Sequence, residues 1–396
     1  MRVPLIWGGA ALAAIWLAAS AIGAITSYSA PGVALAASPR NGFAYQQLAL
    51  AHLAATGGDL RTVRIPNADA VLAREALRRE PLATGAISLL GLASASAGAS
   101  GSAEALFLAA NRLDKREPIA SGWLIERYRA AGRPDEVLRL LGDALKVRPG
   151  MTQQVMPALA IGLAQPGTTG FFRSALSRYP EWRKGFWDAV ATTPAALPNA
   201  AELRARMLRD GEPLGDVDRQ LVDAFVRAGR FDLAIAFSRG IPQREATREL
   251  VRDPAFADEG PLPPLDWELH SDGRIGAALN TTSGTLEITA LQGTGGIVAR
   301  QLIEVPPGDY LLRAKLATAR LTNGAEVVIR LSCAARGAAT PALVERMAGD
   351  LETRFGAAPG DCRYRWLDIE VAAIDATGAV MVRLAEVRIV PEQRIR

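Results

Sequence analysis

The sequence predicts a multidomain chain that is α first and β second: an N-terminal transmembrane helix, then an α-solenoid, then a C-terminal antiparallel β-sandwich. Three observations carry that reading. Residues 3–38 hold no charged side chain behind Met1 and Arg2. From Phe43 to Arg252 apolar residues recur at helical spacing, broken by proline and glycine at regular intervals. Beyond Pro264 the hydrophobic period falls to two. The expected divisions are 1–38 for the anchor and spacer, 39–256 for the helical repeats and 257–396 for the sandwich.

The anchor comes first. Its densest part, Val3 to Tyr28, exceeds the roughly 20 apolar residues that span a bilayer. Arg2 is the one charge at the near end, and Trp7 and Tyr28 stand where interfacial aromatics belong. The positive-inside tendency then leaves the N-terminus cytoplasmic and the body in the periplasm, as a single-pass inner-membrane protein. A cleaved signal peptide is the alternative, with Ala34 and Ala36 as its A-x-A site, but its apolar core is usually only about 7–15 residues long. A buried helix of a soluble protein is a third reading, against which stands the lack of a polar face.

The formal charge of the 396 residues is +4, and acidic and basic residues alternate through the helical region instead of clustering. Nucleic acid is not an expected partner, because it requires a basic face.

In the helical region prolines end successive segments at Pro81, Pro118, Pro149, Pro180 and Pro213, separated by 37, 31, 31 and 33 residues. Ala97-Gly98 and Ala131-Gly132 stand 34 apart, and Ala228-Gly229 follows about three periods later. Proline cannot continue a helix and glycine supplies a left-handed cap, so the two mark alternate turns of helix pairs. A period near 34 is that of a helix-turn-helix solenoid. At these positions the chain resembles a degenerate tetratricopeptide array. The best unit is Ala120 to Pro149, with Trp123, Tyr128, Gly132, Ala144 and Pro149 at matching offsets. Residues 151–200 depart from it through Pro157, Pro166, Pro194 and Pro198. Such arrays offer a concave surface to a protein partner, here an envelope protein. Trp182, Trp187, Phe171, Phe172 and Phe186 form either a docking patch or, at helical spacing, core.

Asp253-Pro254 and the run Gly260 to Pro264 read as a linker or domain edge. After it come seven or eight short strands, LDWELH, TLEITAL, GIVARQLIEV, DYLLRAKLA, EVVIRLSC, RYRWLDIEV and AVMVRLAEVRIV among them, which imply a sandwich. PALVERMAGDLETRF, from Pro341 to Phe355, reads as an inserted helix. Cys333 and Cys362 are the chain's two cysteines. In an exported domain they read as a disulfide, contributing about 3 kcal/mol by loop closure, with two buried thiols as the alternative.

No catalytic constellation assembles. His52 and His270 fall in different domains and out of ligand spacing with the cysteines, so no metal or other cofactor is expected. Gly293 to Gly296 (GTGG) lacks the following Lys-Ser/Thr of a phosphate loop and reads as a turn. A glycosidase would need two carboxylates, and Glu268, Glu287, Asp368 and Glu370 are the candidates. Asp368 and Glu370 share one strand face, where exposure to solvent is the plain explanation. Trp267, Tyr310, Tyr364 and Trp366 are spread over several strands and would suit a sugar-stacking platform. Core filling competes with that role, more strongly for Trp267 and Trp366 than for Tyr310 and Tyr364.

The C-terminal segment is similar to a domain that ends membrane-anchored tetratricopeptide proteins of proteobacteria associated with polysaccharide export. The likeness lies in Pro264 to His270, Leu302 to Ala317, Val327 to Cys333 and Asp361 to Val371. It implies a jelly-roll-like sandwich and a non-catalytic periplasmic scaffold or adaptor in exopolysaccharide assembly or export. Its solenoid would bind a protein and its sandwich polysaccharide; a hydrolase or lyase using the sandwich is the alternative.

Overall fold

The computed structural model describes residues 17–56, 63–241, 249–317, 324–335 and 342–392. The chain forms two compact units, 1–153 and 154–396, so the later helices share a unit with the sandwich.

In the first unit, residues 17–26 are helical and a turn leads into α1 (Pro31–Ala37). The contact between them is close: a Cβ on Gly23 would come within 2.7 Å of Ser38 Cβ. Asn41 Nδ2 donates to the Gly23 carbonyl at 2.8 Å. The apolar run thus folds back on itself before Ser38, and Ala34 of the A-x-A site is buried in α1. Residues 3–16 of the expected transmembrane helix lie outside the described residues. Among the described residues no helix is long and apolar enough to cross a membrane.

Six further helices follow: α2 (Gly42–Thr56), α3 (Asn67–Arg79), α4 (Thr84–Ser96), α5 (Ser100–Leu113), α6 (Pro118–Ala130) and α7 (Pro134–Val147). Each packs against the next. Their turns are built as the sequence spacing requires. Gly98 and Gly132 take left-handed φ of 79° and 66°, and the following amides reach back to the carbonyls of Ser94 and Tyr128 at 3.0 and 2.9 Å. That closes each helix with a Schellman bond. Pro118 opens α6 where no amide is needed, and Glu117 caps it by accepting from the amides of Ile119 and Ala120 at 3.2 and 2.6 Å. The same buried carboxyl accepts from Ser88 of α4 at 2.5 Å, and burial pushes its pKa up.

The second unit starts inside α8 (Thr152–Leu163) and continues through α9 (Thr169–Arg178), α10 (Arg183–Ala191), α11 (Leu197–Arg209), α12 (Asp216–Arg227) and α13 (Phe231–Arg239). The extra prolines are absorbed: Pro149, Pro180 and Pro194 each start a single 3-10 turn that leads into the next helix. Trp182, Phe186, Trp187 and Phe172 are buried, so this aromatic cluster is core and not a docking patch. Arg204 fixes α11 to α12 through a bidentate pair with fully buried Asp218, both contacts at 2.8 Å.

The stretch read as a linker is packed. Val251 and Phe256 are fully buried in the sandwich core, and the Pro254 carbonyl accepts from the Val387 amide at 2.8 Å.

Among the described residues ten strands follow: β1 (Glu268–Leu269), β2 (Ile275–Asn280), β3 (Thr285–Ala290), β4 (Gly295–Glu304), β5 (Gly308–Leu316), β6 (Glu326–Cys333), β7 (Leu343–Met347), β8 (Leu351–Ala357), β9 (Tyr364–Ala372) and β10 (Val380–Pro391). They form two antiparallel five-stranded sheets, sheet 1 in the order β1-β4-β9-β6-β7 and sheet 2 in the order β2-β3-β10-β5-β8. Inward residues of both, such as Ile329, Leu367 and Ile369 against Leu286, Ile288 and Leu384, make one core. Period-two alternation puts them there.

The expected helix at 341–355 is instead β7, the turn Ala348–Asp350 and β8, each strand at an edge of a different sheet. Helix-forming residues were overridden by open sheet edges, since Leu343, Glu345 and Met347 alternate with the exposed Val344 and Arg346. Cys333 and Cys362 form the disulfide, with Cα atoms 5.6 Å apart, at one end of sheet 1.

Candidate functional site

Along β9 the odd-numbered residues Leu367, Ile369 and Val371 enter the core, so Tyr364, Trp366, Asp368 and Glu370 stand on the outer face of sheet 1. Register aligns three rows across that face. Glu268, Arg300, Asp368, Arg330 and Val344 form a cross-strand row in which charge alternates over the first four. Leu302, Trp366 and Ser332 form the row on one side, and Ile297, Glu370 and Val328 the row on the other.

One end of the face is covered. Phe231 of α13 lies 6.1 Å from Tyr364, ring to ring. Arg239 of α13 pairs with Glu304, whose other oxygen accepts from Arg363 Nε at 2.6 Å. Toward the other end Trp366, Ile297 and Glu370 are half-buried.

Arg300 is held there by two partners. Its guanidinium lies 4.5 Å above the Trp366 ring centroid, and its Nε and Nη2 both donate to Asp368 Oδ1 at 3.1 Å. Asp368 is 3% exposed; burial lifts its carboxyl above the usual range, against the opposing pull of Arg300. Arg330 grips Glu370 with contacts at 2.7 and 2.9 Å. Beside Arg300 opens a cleft of about 300 Å³ lined by Glu268, Leu269, His270, Ile297 and Arg300. Among the described residues the Glu268 side chain has no hydrogen-bond or ion-pair partner, and neither does Arg300 Nη1, while His270 is in electrostatic reach of Asp272. The cleft therefore brings unengaged donors and acceptors beside apolar Leu269 and Ile297, a combination suited to a polar ligand with some apolar surface.

The four aromatics expected to share a platform do not. Trp267 is core, its Nε1 donating to the Asp253 carbonyl at 3.0 Å and its ring 5.4 Å from Phe256. Tyr310 is core as well, 4% exposed, with its hydroxyl donating to the Pro306 carbonyl at 2.7 Å. Its parity was the signal: Tyr310 shares a strand face with buried Leu312 and Ala314. Tyr364 is half-buried under α13, and Trp366 is half-buried beneath Arg300. Arg300 itself was missed, because strand register, which pairs it with Asp368, is not written in any one segment. His270, set aside as a strand-end residue, lines the cleft.

A second concavity belongs to the first unit. It measures about 390 Å³ and is lined by Tyr28, Phe43, Leu82 and Leu113 with Arg116 and Arg148. Among the described residues no cluster of His, Cys, Asp and Glu could hold a metal ion.

No family model matches the chain, and no curated protein matches it. Among solved structures, TmCBM61 in complex with beta-1,4-galactotriose aligns over 37% of this chain and 100% of its own, at 11% identity and TM-score 0.26. A CBM4 structure aligns over 36% and 99%, at 15% identity and TM-score 0.26. An IFIT1 monomeric mutant with Gppp-AAAA aligns over 54% of this chain and 45% of its own, at 17% identity and TM-score 0.27. At scores this low the likenesses carry no argument about ligand or activity.

Proposed function

We propose that this protein is a non-catalytic, single-pass adaptor of the inner membrane whose body lies in the periplasm and whose sandwich binds glycan on the outer face of sheet 1. The observation that carries the glycan reading is the cleft beside Arg300, where Glu268 has no bond partner among the described residues while Asp368 and Glu370 on the same face are held by arginines. Sugar hydroxyls need such interspersed donors and acceptors. The groove of the first unit is the surface for an envelope protein partner, and the tetratricopeptide-like spacing supports a solenoid role there. The uncharged stretch from Val3 to Tyr28 supports the anchor, and the disulfide supports an oxidising compartment. The process that joins these parts is exopolysaccharide assembly or export.

The test is affinity electrophoresis of the full chain through the host's exopolysaccharide. Retardation that Glu268→Ala and Arg300→Ala abolish supports the reading. Unretarded wild-type protein removes it.

A hydrolase or lyase is the second reading, favoured by the burial that raises the pKa of Asp368, two positions from Glu370. The pairing of both carboxyls with arginines disfavours it, because each is committed to a structural partner. Release of reducing ends by wild type but not by Asp368→Asn would establish it.

A further inference from the structure

Resting on the glycan reading, we infer that the cleft selects a saccharide bearing a carboxylate, with an uncharged sugar next to it. A guanidinium presents two edges of paired N–H groups. Asp368 takes the Nε/Nη2 edge of Arg300 with a single oxygen. The end-on edge through Nη1 is left to the cleft that Arg300 lines. Trp366 beneath and Asp368 beside fix the plane, so little side-chain freedom is lost when that edge meets a ligand. A planar fork with two parallel N–H groups fits a carboxylate better than it fits a hydroxyl.

Glu268 sets the second condition. It is the cross-strand partner of Arg300, on a strand about 4.8 Å away, and has no bond partner among the described residues. A carboxylate seated on Arg300 would bring the adjoining sugar to Glu268. Hydroxyls there are accepted, and a second carboxylate is repelled. His270, lining the same cleft, supplies a ring nitrogen to the sugar edge.

The experiment titrates the full chain in mild detergent with hyaluronan oligosaccharides, in which uronic acid alternates with uncharged sugar, before and after chemical reduction of their carboxyls. The acidic form is expected to bind about tenfold tighter or more. Arg300→Lys, which keeps the charge but loses the fork, is expected to narrow the preference for the acidic form to about threefold or less. Glu268→Gln, at an exposed position with no bonds to break, is expected to raise affinity for oligogalacturonate, whose sugars are all acidic. Equal wild-type affinity for native and reduced hyaluronan overturns the inference and leaves the glycan reading standing. Binding of neither form overturns the inference alone if the host's exopolysaccharide is still retained, and both readings if it is not.

Discussion

The two outer faces of the sandwich are made from the same kinds of residue and differ in what those residues are left free to do. On sheet 2 the charges pair with each other: Arg383 with Glu287 at 3.1 Å, Arg313 with Glu352 at 3.0 Å, Lys315 with Glu386 at 2.8 Å and Arg354 with Glu392 at 2.8 Å. No aromatic ring stands among them. These pairs are mostly open to water and serve solubility more than stability. On sheet 1 an arginine is stacked on a tryptophan, its carboxylate partner is buried, and a cleft with unpaired polar groups opens alongside. A charged face becomes a site where some groups are immobilised and others are left unsatisfied.

The core that both faces share carries the largest effects. Trp267→Ala and Tyr310→Ala are each expected to cost about 3–5 kcal/mol and to disorder both sheets together. Thermal unfolding of the full chain, followed by near-UV dichroism, checks this. A loss below ~1 kcal/mol at Tyr310 would return that ring to the surface.

The disulfide comes next. It joins the end of β6 to the approach to β9, both in sheet 1. Replacing both cysteines with serine is expected to cost about 3 kcal/mol. Amide exchange should quicken in β6 and β9 before β3 and β10; uniform quickening would mean the crosslink does not favour one face.

Smaller again is the contrast between single ion pairs. Asp368→Ala leaves Arg300 without its partner on a surface only a third open to water, and is expected to cost about 2 kcal/mol, below the usual figure for a fully buried pair. Glu352→Ala on sheet 2, where both partners are about half exposed, is expected to cost under about 1 kcal/mol. Urea midpoints of the two variants decide it, and equal costs would erase the difference between the faces.

The smallest effect is in pH dependence, where the faces have opposite signs. The carboxyl of Asp368 is raised by burial, so the folded state holds its proton longer than the unfolded chain does. Its contribution to stability is full below the ordinary value of 3.8 and is lost as pH rises through the raised folded value. Glu386 on sheet 2 is lowered, chiefly by the hydrogen bond from Lys315. Its contribution is present above 4.5 and is lost as pH falls through the lowered value. Melting temperatures of Asp368→Asn and Glu386→Gln, each compared with wild type across acidic pH, should therefore diverge in opposite directions.

Much of this architecture was legible in the sequence because periodicity reports burial directly. The left-handed turns at Gly98, Gly132 and Gly229 stand where the repeat spacing put them. The strands from Thr285 to Ala290 and from Val380 to Pro391 follow the alternation. Segment 341–355 was misread because its residues favour helix while its place is at two sheet edges, and nothing local reports an unpaired edge. The site was less legible. Parity within β9 separates Trp366 from Leu367, yet only register brings Arg300 over Trp366 and sets Glu268 beside it. Tyr310 was assigned by residue type, and its parity with Leu312 outweighed type.

The central claim is that ligand binds the outer face of sheet 1. Its most direct test is amide hydrogen exchange of the full chain with and without saturating oligosaccharide from the host's own exopolysaccharide. The account predicts added protection confined to peptides covering 268–270, 297–302 and 364–370, with 285–290, 311–316 and 380–391 unchanged. Protection on the latter set, or none anywhere, would contradict it.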